Sequence, residues 1–577
     1  MTEHFDSVKS MIANLRSDDP EERLNSMRGI HLIASTLGPE RTRDELLPYL
    51  TDYLDENDEV LRVFANALGT MLQEVGGVGH AQSILGPLEL LSSLDEITVR
   101  DEAVTSLQTI GGLIFRETGD SAAQAQRSFV ELVLRLGKAT PQCRSSASYL
   151  IATPYPFVSS VVKGQLMRLL IDLCEDEEIM VRRAACISLG KHMAEVLGNR
   201  NAELISALTA LSRDMSDGVR LQAVESAAAL LKVLPHETHA SVLAAVKSLV
   251  SDNSWRVRYM AADRLGKLAS VMAPTDVKQI VPFFRSLTQD AEAEIRASAV
   301  FSMPGVLTAC RDAGAKKEVL MAGCRLVNDE SGHVRMCLAS AVLQSVVHVP
   351  KELWGSAIVP TCTQLLKDSE ADVRLALVSG FSSMGNTTEA REMAPKLVPV
   401  VVALAEDPKW RIREVVISQI PFLITSLGKN ADDVVELCVQ HLADRVATIR
   451  DAAVSSCCKL VLESGAVWSR TSLFPRLSAM ATASNYLHRV VLAHFYESLA
   501  GIPTLDRATV SQSVLPMLRV LAQDNVANVR LNCAKALLAL KNAKLLLDSD
   551  AEPLLTKLRK DTDADVRFAA SQDGGNR

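Results

Sequence analysis

Aromatic side chains are scarce in this chain. Phe, Trp and Tyr supply 4% of the 577 residues, and there are four tryptophans in all. A length prior of about 150 residues per domain would suggest roughly four compact domains. No Gly/Pro/Ser-rich linker divides the chain, so a single elongated architecture is the first reading. Positive charge is also in deficit: 61 Lys and Arg face 69 Asp and Glu, for a net charge of −8. An acidic surface repels phosphates, which argues against a chain that coats nucleic acid. The longest apolar stretches, such as Leu397 to Ala405, are far short of a bilayer span, which excludes membrane insertion. The opening MTEHFDSVKS has no basic-then-apolar leader, so a cytoplasmic or nuclear protein is expected. The 11 cysteines form no C-x-x-C, and the nearest two, Cys457 and Cys458, are adjacent. They read as small buried hydrophobes in a reducing compartment, not as a disulfide or zinc framework.

Catalytic signatures are missing as well. There is no G-x-S-x-G, no G-x-x-x-x-G-K-[ST] and no H-E-x-x-H. Pro235-His236-Glu237-Thr238-His239 places two histidines three apart, but it reads as a solvated loop between helices with no third ligand nearby. Gly76-Gly77-Val78-Gly79 follows a helical pattern, not a strand, and reads as a connecting loop. No catalytic residue, cofactor or metal ligand is assigned.

What the chain does have is apolar content, 48% hydrophobic residues, too much for disorder, and a repeat. A V-R or I-R pair recurs along the chain, and it sets a register of arginines at Arg23, Arg62, Arg100, Arg144, Arg182, Arg220, Arg258, Arg296, Arg335, Arg374, Arg413, Arg450, Arg489, Arg530 and Arg567, in which Arg23, Arg62, Arg144 and Arg489 follow another residue. The mean interval is about 39 residues, so fifteen repeats fill the chain. Around Arg258, Leu243, Val246 and Val250 have helical spacing. Val257, Met260, Ala261, Leu265 and Leu268 follow with the same period. Each repeat is therefore predicted to be two amphipathic helices, here joined at Asp252 to Trp255, where Asp and Ser suit a C-terminus and an N-cap.

Two further registers run with the arginines. Pro48, Pro282, Pro360, Pro399, Pro475, Pro516 and Pro553 precede them by fourteen residues and Pro87 by thirteen, marking the start or a kink of the first helix. Asp176, Asp214, Asp252, Asp290, Asp329, Asp368, Asp407, Asp444, Asp524 and Asp561 precede them by six, and Glu56 does so in repeat 2. That spacing puts a carboxylate at the end of the first helix and a guanidinium in the first turn of the second. Stacked repeats would then form an internal ladder, each Arg donating to the Asp of its own or the neighbouring repeat. Repeats 1, 3, 4 and 13 carry Ser17, Leu94, Lys138 and Ala483 at the Asp position, so irregular stacking is expected there.

The turns differ in character. Trp255, Trp410 and Tyr486 each lie three residues before a ladder arginine, flanked by Arg256, Arg411 and His488-Arg489. Rings beside cations at an exposed corner are the usual anchors of protein interfaces, although each ring could simply cap its own helix pair. Early turns are acidic: Asp18, Asp19, Glu21 and Glu22; Asp55, Glu56, Asp58 and Glu59; Glu175, Asp176, Glu177 and Glu178. This asymmetry suggests two different partners, although an acidic run can be no more than a solvated loop.

Helix pairs with D-x(5)-R and a first-helix proline resemble HEAT repeats, which implies an all-α, right-handed α-solenoid. KLVPVVVALAEDPKWRIR (396–413), SWRVRYMAADRLGKL (254–268), MVRRAA (180–185), SNYLHR (484–489) and NVANVR (525–530) carry the likeness further. They resemble the family of protein phosphatase 2A scaffold (A, 65 kDa regulatory) subunits throughout essentially all fifteen repeats. The resemblance implies a non-catalytic scaffold in a heterotrimer. Repeats 1–10 (1–390) would hold interchangeable regulatory B-type subunits, repeats 11–15 (391–570) the phosphatase catalytic subunit, and 571–577 would be a frayed tail. Carried over by motif, Trp410, Arg411, Tyr486, Arg489, Val526 and Asn528 would grip the catalytic subunit, and Glu177, Arg182, Arg183, Trp255 and Arg256 would face regulatory subunits. The repeat 4 turn (KATPQCRSS) and the repeat 12 turn (ADRVATIR) hold few strong anchors. Arg182 also belongs to the ladder. The rival reading is another HEAT class, the nuclear transport receptors, or a general protein–protein adaptor.

Overall fold

The computed structural model describes residues 9–51, 57–196, 201–381, 388–427 and 432–572. Glu56 and Asp55 of the repeat 2 turn and residues 573–577 of the tail lie outside the described residues. Every regular element among the described residues is helical. By its contacts the chain divides into two compact units, Met1–Phe283 and Phe284–Arg577, each a stack of helix pairs. The first and second helices of a repeat are termed A and B.

Repeat 7 shows how the sequence makes a pair. Its A helix is His239–Val250 and its B helix is Trp255–Val271. The predicted periodic residues Leu243, Val246, Val250, Val257, Ala261, Leu265 and Leu268 are all buried, and only Met260 is partly exposed. A stripe this narrow buries one face of each helix against its partner and against neighbouring helices of its unit, which gives each unit an aliphatic core.

The prolines sit where a missing N–H is tolerated. In repeats 2, 10, 13 and 14 a single π-helical turn precedes them, closed by an i→i+5 bond from the residue just before each proline. Leu47 N–H donates to Thr42, Val359 to Trp354, Phe474 to Ser469 and Leu515 to Val510. Pro48, Pro360, Pro475 and Pro516 follow directly. The ring removes the next helical donor and the chain widens by one residue at that point, so these prolines mark a π-helical turn in the first helix. Pro87, Pro399 and Pro553 lie inside continuous helices.

The ladder has a definite direction, and one arginine serves two repeats. Arg182 Nη1 donates to the backbone carbonyl of Asp176, six residues back in its own repeat, at 2.8 Å. Its Nε and Nη2 grip the carboxylate of Asp214 in the next repeat at 2.5 and 3.0 Å. The same two-sided grip joins Arg220 to Asp252, Arg335 to Asp368, Arg413 to Asp444 and Arg530 to Asp561. Arg144, Arg296, Arg374 and Arg489 reach Asp176, Asp329, Asp407 and Asp524 in this way. Each Asp also acts within its own turn, where its Oδ1 accepts the backbone N–H two residues on, as Asp214 does from Ser216 and Asp252 from Ser254. That bond closes the turn and orients the carboxylate for the fork. Arg258 holds the carbonyls of Asp252 and Asn253, and Asp290 accepts from Glu292 N–H.

Where the Asp is absent the backbone half survives, because it uses a carbonyl that any residue offers. Arg23 still donates to Ser17 O, Arg100 to Leu94 O and Arg489 to Ala483 O. The carboxylate half is lost. Among the described residues Arg100 and Arg450, whose next-repeat partners would be Lys138 and Ala483, form no ion pair, and Arg62 reaches only Glu102 at 3.9 Å.

The B helices also approach closely through small residues. Ser188 Oγ donates to Ser148 O at 2.5 Å, Ser226 Oγ to Cys186 O at 2.6 Å and Ser456 Oγ to Ile417 O at 2.9 Å. At the same seam a Cβ on Gly190 would lie 2.7 Å from Ser226 Cα. All 11 cysteines are free thiols, and only Cys337 and Cys458 are not fully buried. No helix among the described residues is long and apolar enough to cross a membrane.

Candidate functional site

The A–B turn is built by the ladder aspartate, and the residue that follows it onto the B helix is pushed outward. In repeat 7 Asp252 closes the turn and Ser254 occupies the N-cap position with extended backbone (φ −77°, ψ 123°). The expected cap differs in one respect: the Ser254 hydroxyl makes no bond to its own helix and donates instead to Asp217 of repeat 6 at 3.0 Å. The first B-helix residue is then Trp255, three before Arg258 and on the face opposite the seam residues Val257 and Ala261.

Trp410 and Tyr486 hold the same position, first in the B helices Trp410–Leu427 and Tyr486–Ser498. Trp255, Trp410 and Tyr486 are 48%, 38% and 41% exposed, a large fraction for rings. Each indole carries its own cation: Arg256 Cζ lies 5.6 Å from the Trp255 ring centroid and Arg411 Cζ 5.2 Å from that of Trp410. The stacking holds a flat apolar face beside a fixed positive charge. In repeat 13 Asn485 caps the helix, its Oδ1 accepting from Leu487 N–H at 3.1 Å.

The other residues singled out by sequence divide in two. Glu177, Arg183, Arg256, Arg411 and Asn528 are exposed on the turns or first turns of B helices, and Val526 is half-buried beside Asn528. Arg182 and Arg489 stand behind that surface. Arg182 has Nε, Nη1 and Nη2 all engaged in the stack, and so has Arg489, through Asp524 and the carbonyls of Ala483 and Ser484.

The ladder fixes the electrostatics behind the turns. Burial opposes ionisation of Asp214, but the Arg182 fork and the Ser216 N–H outweigh it, and the carboxyl is held below its ordinary range. The same balance lowers Asp252, Asp329, Asp368, Asp444 and Asp524. For Asp561 the Arg530 hydrogen bond dominates and brings the carboxyl down to about 2. These seven aspartates therefore stay charged at neutral pH, and their turns stay closed.

Sequence reasoning followed the rings and passed over aliphatic residues in the same register. Ile97 and Ile179 are the first B-helix residues of repeats 3 and 5, three before Arg100 and Arg182, and both are exposed. Met215, directly after Asp214, is 98% exposed. The offset from the ladder arginine was a sufficient signal for the two isoleucines. The histidine loop also differs from expectation: Asp276 lies close to His236 and His239, a third group that the sequence did not place there.

Comparisons with known proteins bear on the repeat and on shared stretches of sequence. The HEAT repeat model matches residues 242–272, which run from the A helix of repeat 7 through its B helix and include Trp255 and Arg258. The chain is 41% identical over 224 residues to a probable serine/threonine-protein phosphatase PP2A regulatory subunit of Caenorhabditis elegans, covering 38% of this chain and 37% of that protein. It is 36% identical over 383 residues to the beta isoform of the human serine/threonine-protein phosphatase 2A 65 kDa regulatory A subunit, covering 65% and 63%. A protein phosphatase 2A scaffold subunit of Dictyostelium discoideum matches at 36% over 197 residues, covering 34% and 33%. The aligned stretches thus span from about a third to just under two thirds of these relatives. Among solved structures, Kap95p bound to RanGDP superposes with a TM-score of 0.56 at 12% identity, covering 98% of this chain and 81% of that one. Kap95 with Nup1 gives 0.55 at 15%, covering 98% and 72%. At such identities the likeness is one of fold, stacked HEAT helix pairs. By its repeat and by the stretches it shares at 36–41% identity, the chain is similar to the phosphatase 2A regulatory A subunits.

Proposed function

We propose that this chain is a non-catalytic scaffold whose A–B turns hold two partners, the catalytic subunit of a serine/threonine phosphatase and an interchangeable regulatory B-type subunit, in a heterotrimer. The observation that carries the reading is Trp410, whose exposed ring opens a B helix with Arg411 stacked on it, inside the KWRIR stretch. Catalytic-subunit contacts fall on repeats 11–15 (391–570), through Trp410, Arg411, Tyr486, Val526 and Asn528. Regulatory subunits meet repeats 1–10 (1–390), through Glu177, Arg183, Trp255 and Arg256. Arg182 and Arg489 act as braces, holding the turns from behind while their forks stay with Asp214 and Asp524. Holding two partners on one chain raises the effective concentration of each for the other, so substrate choice passes to the regulatory partner without any chemistry by the scaffold.

The test is a mass-spectrometric inventory of what co-purifies with the full-length chain. Recovery of a Ser/Thr phosphatase catalytic chain, with no dependence on a small GTPase, supports the scaffold. Cargo released by a GTP-bound GTPase would instead support a transport receptor, and turnover by the purified chain alone would overturn the non-catalytic reading.

A further inference from the structure

The loop Pro235-His236-Glu237-Thr238-His239 connects the B helix of repeat 6 to the A helix of repeat 7, and the equivalent loop one repeat later carries Asp276. Stacking brings the two loops together. One ligand atom from each of His236, His239 and Asp276 lies within 4.8 Å of the others. His236 and His239 sit three apart on a helical turn, and their rings meet edge to face with centroids 4.9 Å apart.

His239 is the informative member. It is 1% exposed, and its Nε2 lies 3.1 Å from the Leu234 carbonyl. A carbonyl only accepts, so Nε2 carries the proton and Nδ1 presents its lone pair. That Nδ1 is buried and has no hydrogen-bond partner. A buried acceptor left empty is costly, and native structures rarely leave one without a reason. A ring N–H given to a backbone carbonyl, with the opposite nitrogen free, is the arrangement that orients histidine ligands on metals.

We propose that His236, His239 and Asp276 form a binding site for a divalent transition-metal ion, zinc foremost, with His239 Nδ1 as its anchor. Two neutral imidazoles and one carboxylate suit zinc and its neighbours, while magnesium and calcium take oxygen sets. A tetrahedral ion with bonds of about 2.0–2.1 Å needs its ligands roughly 3.3 Å apart. Rotation of the exposed His236 ring and the half-buried Asp276 carboxylate supplies that contraction around the fixed His239. Three protein ligands leave the fourth position to water. The ion ties the loop before repeat 7 to the loop before repeat 8, at the opposite end of the helices from Trp255. It would stiffen the repeat that presents that ring.

The untagged full-length chain, stripped with a chelator, is titrated with zinc chloride by calorimetry and with cobalt(II) by absorption. Saturation at one ion per chain, tetrahedral d–d bands without thiolate charge transfer, and a zinc-dependent rise in melting temperature are expected. Asp276→Asn, at a partly exposed position, should keep the fold by circular dichroism. It should weaken binding by more than about tenfold and abolish the rise, and His239→Ala should do the same. Absence of saturable binding, thiolate bands that place the ion on cysteines, or an Asp276→Asn chain that binds as before would each overturn the site and leave His239 Nδ1 to a bridging water.

Discussion

Arg220 in repeat 6 holds both oxygens of Asp252 in repeat 7, Nε to Oδ2 at 2.6 Å and Nη2 to Oδ1 at 2.8 Å, while its third nitrogen stays on the carbonyl of Asp214 in its own repeat. Both side chains are nearly sealed, at 15% and 7% exposure. Removing one partner of such a pair strands the other. Asp252→Ala should cost about 3 kcal/mol, felt locally because repeats contact only their neighbours. Hydrogen exchange should rise across repeats 6 and 7 and not in repeat 14. Arg220→Met with Asp252→Leu should cost less than Asp252→Ala alone, since no charge is left buried.

The ladder also sets the response to acid. Asp214, Asp252, Asp329, Asp368, Asp444 and Asp524 are all held below the ordinary carboxylate range, and Asp561 at about 2. A carboxyl lowered by folding adds stability that is complete above its unfolded value of about 3.9 and is lost as pH falls through the folded value. The melting temperature should therefore change little from neutral pH to about 5 and fall steeply between about 4 and 2. Asp252→Asn, with one rung already neutral, should show a shallower fall in a series of thermal melts.

Much of this was legible because the repeat is regular. The offset of six from Asp252 to Arg258 sufficed to place the carboxylate and guanidinium on one turn. The direction of pairing was not legible, because own-repeat and next-repeat partners fit that spacing equally; it emerges from the stack, where the carbonyl serves one and the carboxylate the other. Exposure of Trp255, Trp410 and Tyr486 followed from their offset to the ladder arginine, but Ile97 and Ile179 share that offset and were missed for want of a ring. Asp276 could not be joined to His239 from the sequence, since only the stacking rotation decides which residues one repeat apart become neighbours.

The close approach of B helices gives a contrast between two glycines. A Cβ on Gly190 would meet Ser226 Cα at 2.7 Å and Oγ at 2.8 Å, whereas nothing lies within 4 Å of the same atom on Gly164 in the helix Ser160–Cys174. Gly190→Ala should destabilise by about 1–3 kcal/mol by forcing two repeats apart. Gly164→Ala should stabilise by up to about 1 kcal/mol through helix propensity alone. Paired thermal melts check both.

Trp410 separates docking from packing. Its ring is 38% exposed, with Arg411 stacked on it, at the outer end of the B helix. Trp410→Ala should weaken binding of a phosphatase catalytic chain by about 2 kcal/mol or more, near thirtyfold in Kd, with an almost unchanged melting curve. Calorimetry against the purified catalytic chain reads the first and circular dichroism the second. Unaltered affinity or a collapsed fold would show that the ring is structural.

The broken rung between repeats 12 and 13 can be repaired by one substitution. Arg450 donates to Asp444 O at 2.8 Å but forms no ion pair among the described residues, because Ala483 stands where the next Asp would be. The backbone is already shaped for it. Ala483 has φ −59° and ψ 141°, the same angles as the ladder residue Asp329. An Asp there needs only to accept from the N–H of Asn485, as Asp329 does from Ser331, to present its oxygens to the waiting fork. Ala483→Asp should therefore stabilise this junction by about 1 kcal/mol, and the gain should vanish in an Arg450→Met background. Slower hydrogen exchange in the B helices of repeats 12 and 13 would be the direct reading, and an equal gain in both backgrounds would show that the carboxylate acts only as a turn cap.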